Sequence, residues 1–302
     1  MKRIFAVELQ RFMWRRSFRV FGLLALGWIV LAAIIVFFNS DPSPDPAVTA
    51  SFEAAVDDCV RSVESDPAGV PPQYEDAEDL CRSQMGFSSQ DRRFRLETLD
   101  DVFEGTGVPL IILGLALGAS FIGAEWHTGT ITTQLTWEPR RSRVMLGKVL
   151  AVMVGVMASA VILQTILGLV MWPIAALRGT TEGVDAAWLL DSAETVARGA
   201  LVAGVMTAVG FAIAAVARNT TTALIIGFVY FAVAEPILRG LRPHWQGWLI
   251  GDNAAAFVTG DPGSVFSGGV ERGILSSLLV VVAYAAAFLL AATAWFKARD
   301  VT

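Results

Sequence analysis

The chain is poor in the residues that carry enzyme chemistry. Its 302 residues include two histidines, two cysteines and three lysines, and only 17% are charged. His127 and His244 stand far apart, and neither belongs to an H-E-x-x-H pair or another metal-ligand spacing, so metal-dependent proteolysis has no support. Two cysteines without a nearby histidine do not make a zinc site. No G-x-S-x-G nucleophile elbow occurs, and serines beside apolar runs, such as Ser120 and Ser159, are of the helix-packing kind. The phosphate-cradling loop is missing too. SRVMLGKV holds the Gly147-Lys148 pair, but Ser142 stands where the first glycine should be and Val149 follows the lysine. The chain therefore has no loop of the usual kind for hydrolysing ATP.

What the chain has in abundance is apolar surface. Hydrophobic residues make up 54% and mean hydropathy is +0.57, outside the range of an ordinary soluble domain. Crossing the roughly 30 Å hydrocarbon core takes about 20 apolar helical residues, because unpaired backbone amides there are costly. Six stretches come near that requirement: Val20 to Phe38, Phe103 to Ile122, Val149 to Leu177, Val196 to Val216, Thr221 to Ile237, and Ile274 to Trp295. The third is long enough to tilt or kink at Pro173. Ionisable residues barely enter these spans. Glu104 and Glu235 lie near outer ends, Glu194 and Arg198 stand four apart for pairing, and no ladder of acids forms a proton relay. Gly199, Gly204 and Gly210 permit close helix packing.

Cation placement predicts orientation. Lys2, Lys148, Lys297 and most of the span-flanking arginines, among them Arg11, Arg15, Arg16, Arg19, Arg140, Arg141, Arg143 and Arg218, fall on one side of a six-span layout. Both termini are therefore expected in the cytoplasm. The basic residues hug the membrane ends, which argues against nucleic acid as a partner. The segment after the first apolar run, NSDPSPDP, offers no small-x-small cleavage site, so that run reads as a retained anchor. Before it, Ile4, Phe5, Phe12 and Met13 oppose Arg11, Arg15 and Arg19 on a helical wheel. Such a helix is expected to lie in the interface, apolar face in lipid and arginines among headgroups.

Residues 39–102 form an acidic outer loop too long to be structureless. AVTASFEAAVDDCVRSVES and QYEDAEDLCRSQM read as two helices, with Phe52, Val56, Val60 and Val63 facing Tyr74, Ala77, Leu80 and Cys81 across the turn DPAGVPP. Cys59 and Cys81, one on each helix, are expected to form a disulfide in an oxidising compartment; the alternative is two buried thiols. Between the fifth and sixth spans, Trp245 and Trp248 suit short interfacial or re-entrant helices, or an irregular surface loop.

The one substantial polar segment on the basic side is GAEWHTGTITTQLTWEPRRSRVMLGK, 123–148. Ile131 and Leu135 stand four apart with Trp137 near, which predicts a short amphipathic helix ended by Pro139, followed by a basic turn at Arg140, Arg141 and Arg143. From composition alone it could be a plain interfacial hairpin binding lipid phosphate. The order of residues, however, resembles the signature of bacterial ABC-2-type permease subunits: Gly123 and Glu125 at the end of the second span, Gly129-Thr130, Leu135 in a short helix, Pro139-Arg140, then Gly147-Lys148. The stretch DRRFRLETLDDVFEGTGVPLIILG is further similar to an actinobacterial branch of that family.

The resemblance implies an all-α integral membrane fold of six transmembrane helices, with an N-terminal interfacial helix and an extracytoplasmic helical hairpin between spans 1 and 2. Residues 1–38 would carry the interfacial helix and first span, 39–102 the outer subdomain, and 103–302 the remaining spans. It also implies that 123–148 docks as a coupling helix into a separate ATP-binding subunit, which holds the ATP and magnesium; this chain then needs no cofactor and is no enzyme. Glu125, Gly129, Thr130, Ile131, Leu135, Trp137, Arg140, Arg141 and Lys148 are the implied coupling residues, and a second permease copy or relative, together with membrane lipids, the other partners. Export is the implied direction. A non-transporting platform built on the acidic outer hairpin is the competing reading. On the coupling reading, Leu135→Asp is expected to abolish association with the ATPase while leaving membrane insertion intact; co-purification in full yield would refute the placement of the docking surface.

Overall fold

The computed structural model describes residues 2–41, 46–65, 76–85, 93–137, 140–266, 268 and 270–298. It is an all-α protein apart from one pair of two-residue strands. Six helical segments are long and apolar enough to cross a membrane: Arg16–Asn39, Pro109–His127, Arg141–Arg178, Ala186–Ala217, Thr220–Leu241 and Ile274–Ala298. The chain divides into two compact units, one of Met1–Trp28, Thr98–Leu167 and Asp185–Thr302, the other of Ile29–Glu97 and Gly168–Val184.

The first unit is organised around α9 (Ala186–Ala217), whose residues from Gly199 to Ala215 are almost all buried. A helix apolar on every side belongs in the middle of a membrane bundle. Its closest neighbour is α6 (Gly107–His127). The contact is backbone on backbone: a Cβ on Gly114 would strike the Ala203 carbonyl, one on Gly118 the Thr207 carbonyl, and one on Gly210 the Leu115 carbonyl. Lipid tails are as apolar as leucine, so tight van der Waals fit of this kind, rather than exclusion of water, holds spanning helices together. Thr207 turns its hydroxyl onto the Ala203 carbonyl at 2.8 Å, which removes a polar group from the seam. On its other sides α9 meets α8 (Arg141–Arg178), where Gly204 faces Met157, and α14 (Ile274–Ala298).

Two boundaries differ from the expected spans. The second does not run continuously from Phe103. Leu99–Gly105 is a separate helix, α5, and the spanning part starts beyond Thr106, so Glu104 lies outside it. The fifth is α10 (Thr220–Val229), a single π turn at Tyr230–Ala234, and α11 (Glu235–Leu241). Pro236 has no N–H to give to residue 232, and a wider turn just before it accommodates the missing bond. Between α9 and α10 the chain reverses in two residues: Arg218 adopts φ 53° and Asn219 caps the next helix, its side chain accepting from the Thr221 N–H at 2.7 Å. Beyond α11 the chain makes a 3-10 turn at Pro243–Trp248, then α12 (Ile250–Thr259) and α13 (Pro262–Val265); Trp245 and Trp248 are exposed.

The N-terminal helix, α1 (Lys2–Met13), departs from the lipid-facing expectation. Phe12 is only 1% exposed and packs on Phe121 and Phe18, with ring centroids 5.9 and 4.6 Å away. Gly147 and Gly155 make room for it, since a Cβ on either would press on Ile4 or Phe12. Met13 and Trp14 remain exposed. The first span, α2 (Arg16–Asn39), buries Ile29 alone, as suits a helix surrounded by lipid.

In the second unit, α3 (Pro46–Glu64) and α4 (Ala77–Met85) form the hairpin, and Cys59 and Cys81 are joined in a disulfide with Cα atoms 5.9 Å apart. Val56, Ala77 and Leu80 are buried there, while Tyr74 lies outside the described residues. Arg82 ties α4 to α3 through Glu53 at 2.9 Å. The strands β1 (Phe94–Arg95) and β2 (Gly179–Thr180) pair in parallel, Phe94 opposite Gly179, where a side chain on Gly179 would strike the Phe94 carbonyl. The end of α8 is held in the same unit by Arg178, which donates to the Ser40 carbonyl at 3.3 Å and lies over the Phe37 ring.

Gly210→Leu is expected to destabilise the purified protein by about 1–3 kcal/mol through overpacking, read as a lower midpoint of thermal unfolding in detergent. Gly22→Leu, at a position with open space around it, should leave the midpoint unchanged.

Candidate functional site

At one end of α6 the chain turns twice within a few residues. Thr128 closes the helix, Gly129 takes φ 68°, and a short helix α7 (Thr130–Trp137) runs to the start of α8. A left-handed backbone at residue 129 suits glycine and almost nothing else. Gly123 serves a different purpose: a Cβ there would meet Thr220 at the start of α10, so α6 and α10 touch beside the turn.

Behind α7 lies a group of buried charges. Lys148, in the second turn of α8, has no exposed surface. Its ammonium stands 2.9 Å from Glu8 Oε1 on α1, and 3.1 and 2.8 Å from the two carboxylate oxygens of Glu125 on α6. Arg15, in the turn after α1, reaches Glu125 Oε1 at 3.3 Å and donates to the Ser120 carbonyl at 3.1 Å. Gln134 of α7 donates to Glu8 Oε1 at 2.7 Å. Phe121 supplies an aromatic face 4.2 Å from the Arg15 guanidinium and 5.7 Å from the Lys148 ammonium. Arg11, half-exposed on α1, stands 3.5 Å from Glu8 Oε1, so two carboxylates meet one ammonium and two guanidiniums. Burial pulls the Arg15 pKa down, and the nearby Glu125 and Glu8 carboxylates partly restore it. Because these buried charges depend on one another and on Gln134 of α7, α1, α6, α7 and α8 are bound to one geometry.

A second feature lies among α6, the fifth span and α12. Ile111, Leu115, Gly227 and Phe231 line a mostly apolar cavity of about 420 Å³. Glu235 reaches its wall, only 3% exposed, and accepts from the Gly251 N–H at 2.7 Å. Arg239 pairs with Asp252 at the same rim.

Residues 3–240 match the family described as ABC-2 family transporter protein. The chain belongs to that family. It is a transmembrane permease component of an ABC-2-type transporter, and the match runs from α1 through most of α11. No curated protein matches the chain.

The ABC-2 chain distributes the nine implied coupling residues unequally. Glu125 and Lys148 are brought into direct contact, but inside the protein. Ile131, expected to face a partner, is 1% exposed and belongs to the bundle core instead, because its side of α7 is the side that rests on the other helices. Gly129, Thr130 and Arg140 are exposed, as are Thr133 and Thr136. Arg141 turns inward to donate to the Phe296 carbonyl of α14 at 3.1 Å. Leu135 and Trp137 belong to α7, but their side chains, with Glu138 and Pro139, lie outside the described residues. Glu8 and Gln134 escaped the sequence reading, and Arg15 entered it only as a headgroup-facing, topology-setting cation. The available signal was Glu8 itself, the single acid in an otherwise basic N-terminal segment.

Lys148→Met strips the shared counter-charge from two buried carboxylates. Loss of one partner from a buried pair costs about 3–5 kcal/mol, so the unfolding midpoint should fall sharply. Adding Glu8→Gln to that variant should recover part of the loss, and Arg11→Gln, which removes only the half-exposed guanidinium 3.5 Å from Glu8 Oε1, should cost much less than Lys148→Met. Equal midpoints for Lys148→Met and the native chain would refute the clamp.

Proposed function

We propose that this permease is the membrane half of an ATP-binding-cassette exporter and that α7 is where a separate ATPase subunit drives it. The observation that carries the reading is the two-sided character of α7. Ile131 and Gln134 hold it to the bundle, while Thr130, Thr133, Thr136 and Arg140 are presented outward. A short helix held on one side and open on the other can receive a push and pass it on.

The clamp behind it determines where the push goes. Force on α7 reaches Glu8 through Gln134, then Lys148 and Glu125, and so arrives together at α1, α8 and α6. In this scheme α6 in turn moves α9, against which it is packed backbone to backbone. The ATPase shifts the equilibrium between inward- and outward-facing bundles only by as much as its affinity for α7 differs between the two. Both termini and α7 lie on the cytoplasmic side of the plasma membrane, where lysine and arginine are retained, and the disulfide-linked hairpin lies outside. A second permease subunit completes the path, with the apolar cavity beside α6 and the fifth span favouring a hydrophobic or amphipathic cargo.

Purification of the full chain from its own cells in mild detergent is expected to recover a second polypeptide that carries a phosphate-binding loop, identified by mass spectrometry. Thr133→Glu combined with Thr136→Glu should cut that recovery at least tenfold without lowering the yield of the permease, whereas Ile131→Ala should lower the stability of the permease itself. Undiminished recovery with the double variant would place the ATPase contact elsewhere.

A further inference from the structure

On the same end of the bundle, between the start of α8 and the end of α14, lies a pocket of about 500 Å³ lined by Ser142, Arg143, Leu146, Leu290, Thr293 and Lys297 among others. Its two cations belong to different helices, and neither makes an ion pair with any described residue. Arg143 lies in the first turn of α8, where the helix dipole adds to its charge, and Lys297 in the last turn of α14, where its charge offsets the negative end of that dipole. Toward the interior of the spans the walls become apolar. Leu146 and Leu290 are 48% and 71% exposed, and both are on helices apolar enough to cross the membrane. Thr293 commits its hydroxyl to the Leu289 carbonyl, which leaves the Ser142 hydroxyl as the neutral donor at the mouth.

We infer that this pocket holds the headgroup of an anionic phospholipid. The phosphate would lie between the Arg143 guanidinium and the Lys297 ammonium with Ser142 donating to it, and the acyl chains would run down over Leu146 and Leu290. A free phosphate or a nucleotide engages the cations alone, whereas an anionic lipid sets its phosphate between them while its own acyl chains lie over Leu146 and Leu290. The position also gives the lipid a task. Arg141 already joins α8 to α14 through the Phe296 carbonyl, and a headgroup bridging the neighbouring Arg143 and Lys297 would brace that joint, next to the end of α7.

Native mass spectrometry of the full chain, released from vesicles of phosphatidylglycerol and phosphatidylcholine, tests the site. A phosphatidylglycerol adduct is expected to survive on the native chain. Its occupancy should fall about tenfold in Arg143→Gln/Lys297→Gln, and likewise in Leu146→Trp, which fills the pocket without removing charge. It should persist in Arg16→Gln/Arg19→Gln, which removes two exposed cations elsewhere. Retention in both pocket variants, or an equal fall in the Arg16/Arg19 control, would overturn the site. Displacement of the adduct by millimolar inorganic phosphate as effectively as by added phosphatidylglycerol would overturn the lipid in favour of free phosphate. If the charge variant does not yield folded protein, the Leu146→Trp variant and the control decide between these outcomes.

Discussion

A lysine with no exposed surface is costly to bury unless its counter-charges are buried with it, and much of the polar end of this protein follows from that requirement. Lys148 draws Glu8 from the N-terminal helix and Glu125 from the end of α6, and Arg15 then balances the second carboxylate. Once those four are in place, α1 is no longer free to float in the membrane interface. Phe12 is carried into the core against Phe121, and Gly147 and Gly155 are required on α8 to admit the helix. Gln134 extends the same network into α7. Desolvated charges tolerate little displacement, since losing one partner leaves another exposed to the low-dielectric interior. The cluster therefore behaves as a joint with a preferred geometry rather than as a loose collection of ion pairs.

The apolar body of the protein is held together differently. Where α6 meets α9, glycine on one helix lies against a carbonyl on the other at Gly114, Gly118 and Gly210. Such contacts are specific because a single added methyl group disrupts them. The sharp reversal at Arg218 and Asn219 then returns α10 alongside α6, where Gly123 admits it. Charged joint and apolar seam share α6, so a displacement at the polar end has a rigid element along which to travel.

Much of this was legible in the amino-acid order. The spans are long uninterrupted apolar runs, which admit few other readings, and the two cysteines have only each other to pair with. The short helix after Gly129 was legible because Ile131 and Leu135 stand four apart, with Trp137 near, before Pro139. The exposure of that helix was not legible. Amphipathicity says that one face is apolar, and it does not say whether that face meets a partner or the protein's own core. Ile131 meets the core. For the same reason Phe12 looked like a lipid anchor. The break at Thr106 had a local signal in Glu104-Gly105-Thr106-Gly107, which the expected span crossed by extending the apolar run from Val108 back to Phe103.

By itself, then, the sequence determined which stretches are long and apolar enough to cross a membrane, which two cysteines are available to pair and which short segment is polar enough to turn between spans. These are properties of local composition, and the bilayer rewards composition whatever the neighbours are. Only the tertiary structure decided that Glu8, Glu125 and Lys148 are one group, that α1 is part of the bundle, and that one face of α7 is left open. Those depend on contacts between residues more than 100 positions apart, and a pairing of that range is created by helix packing, which no local pattern encodes.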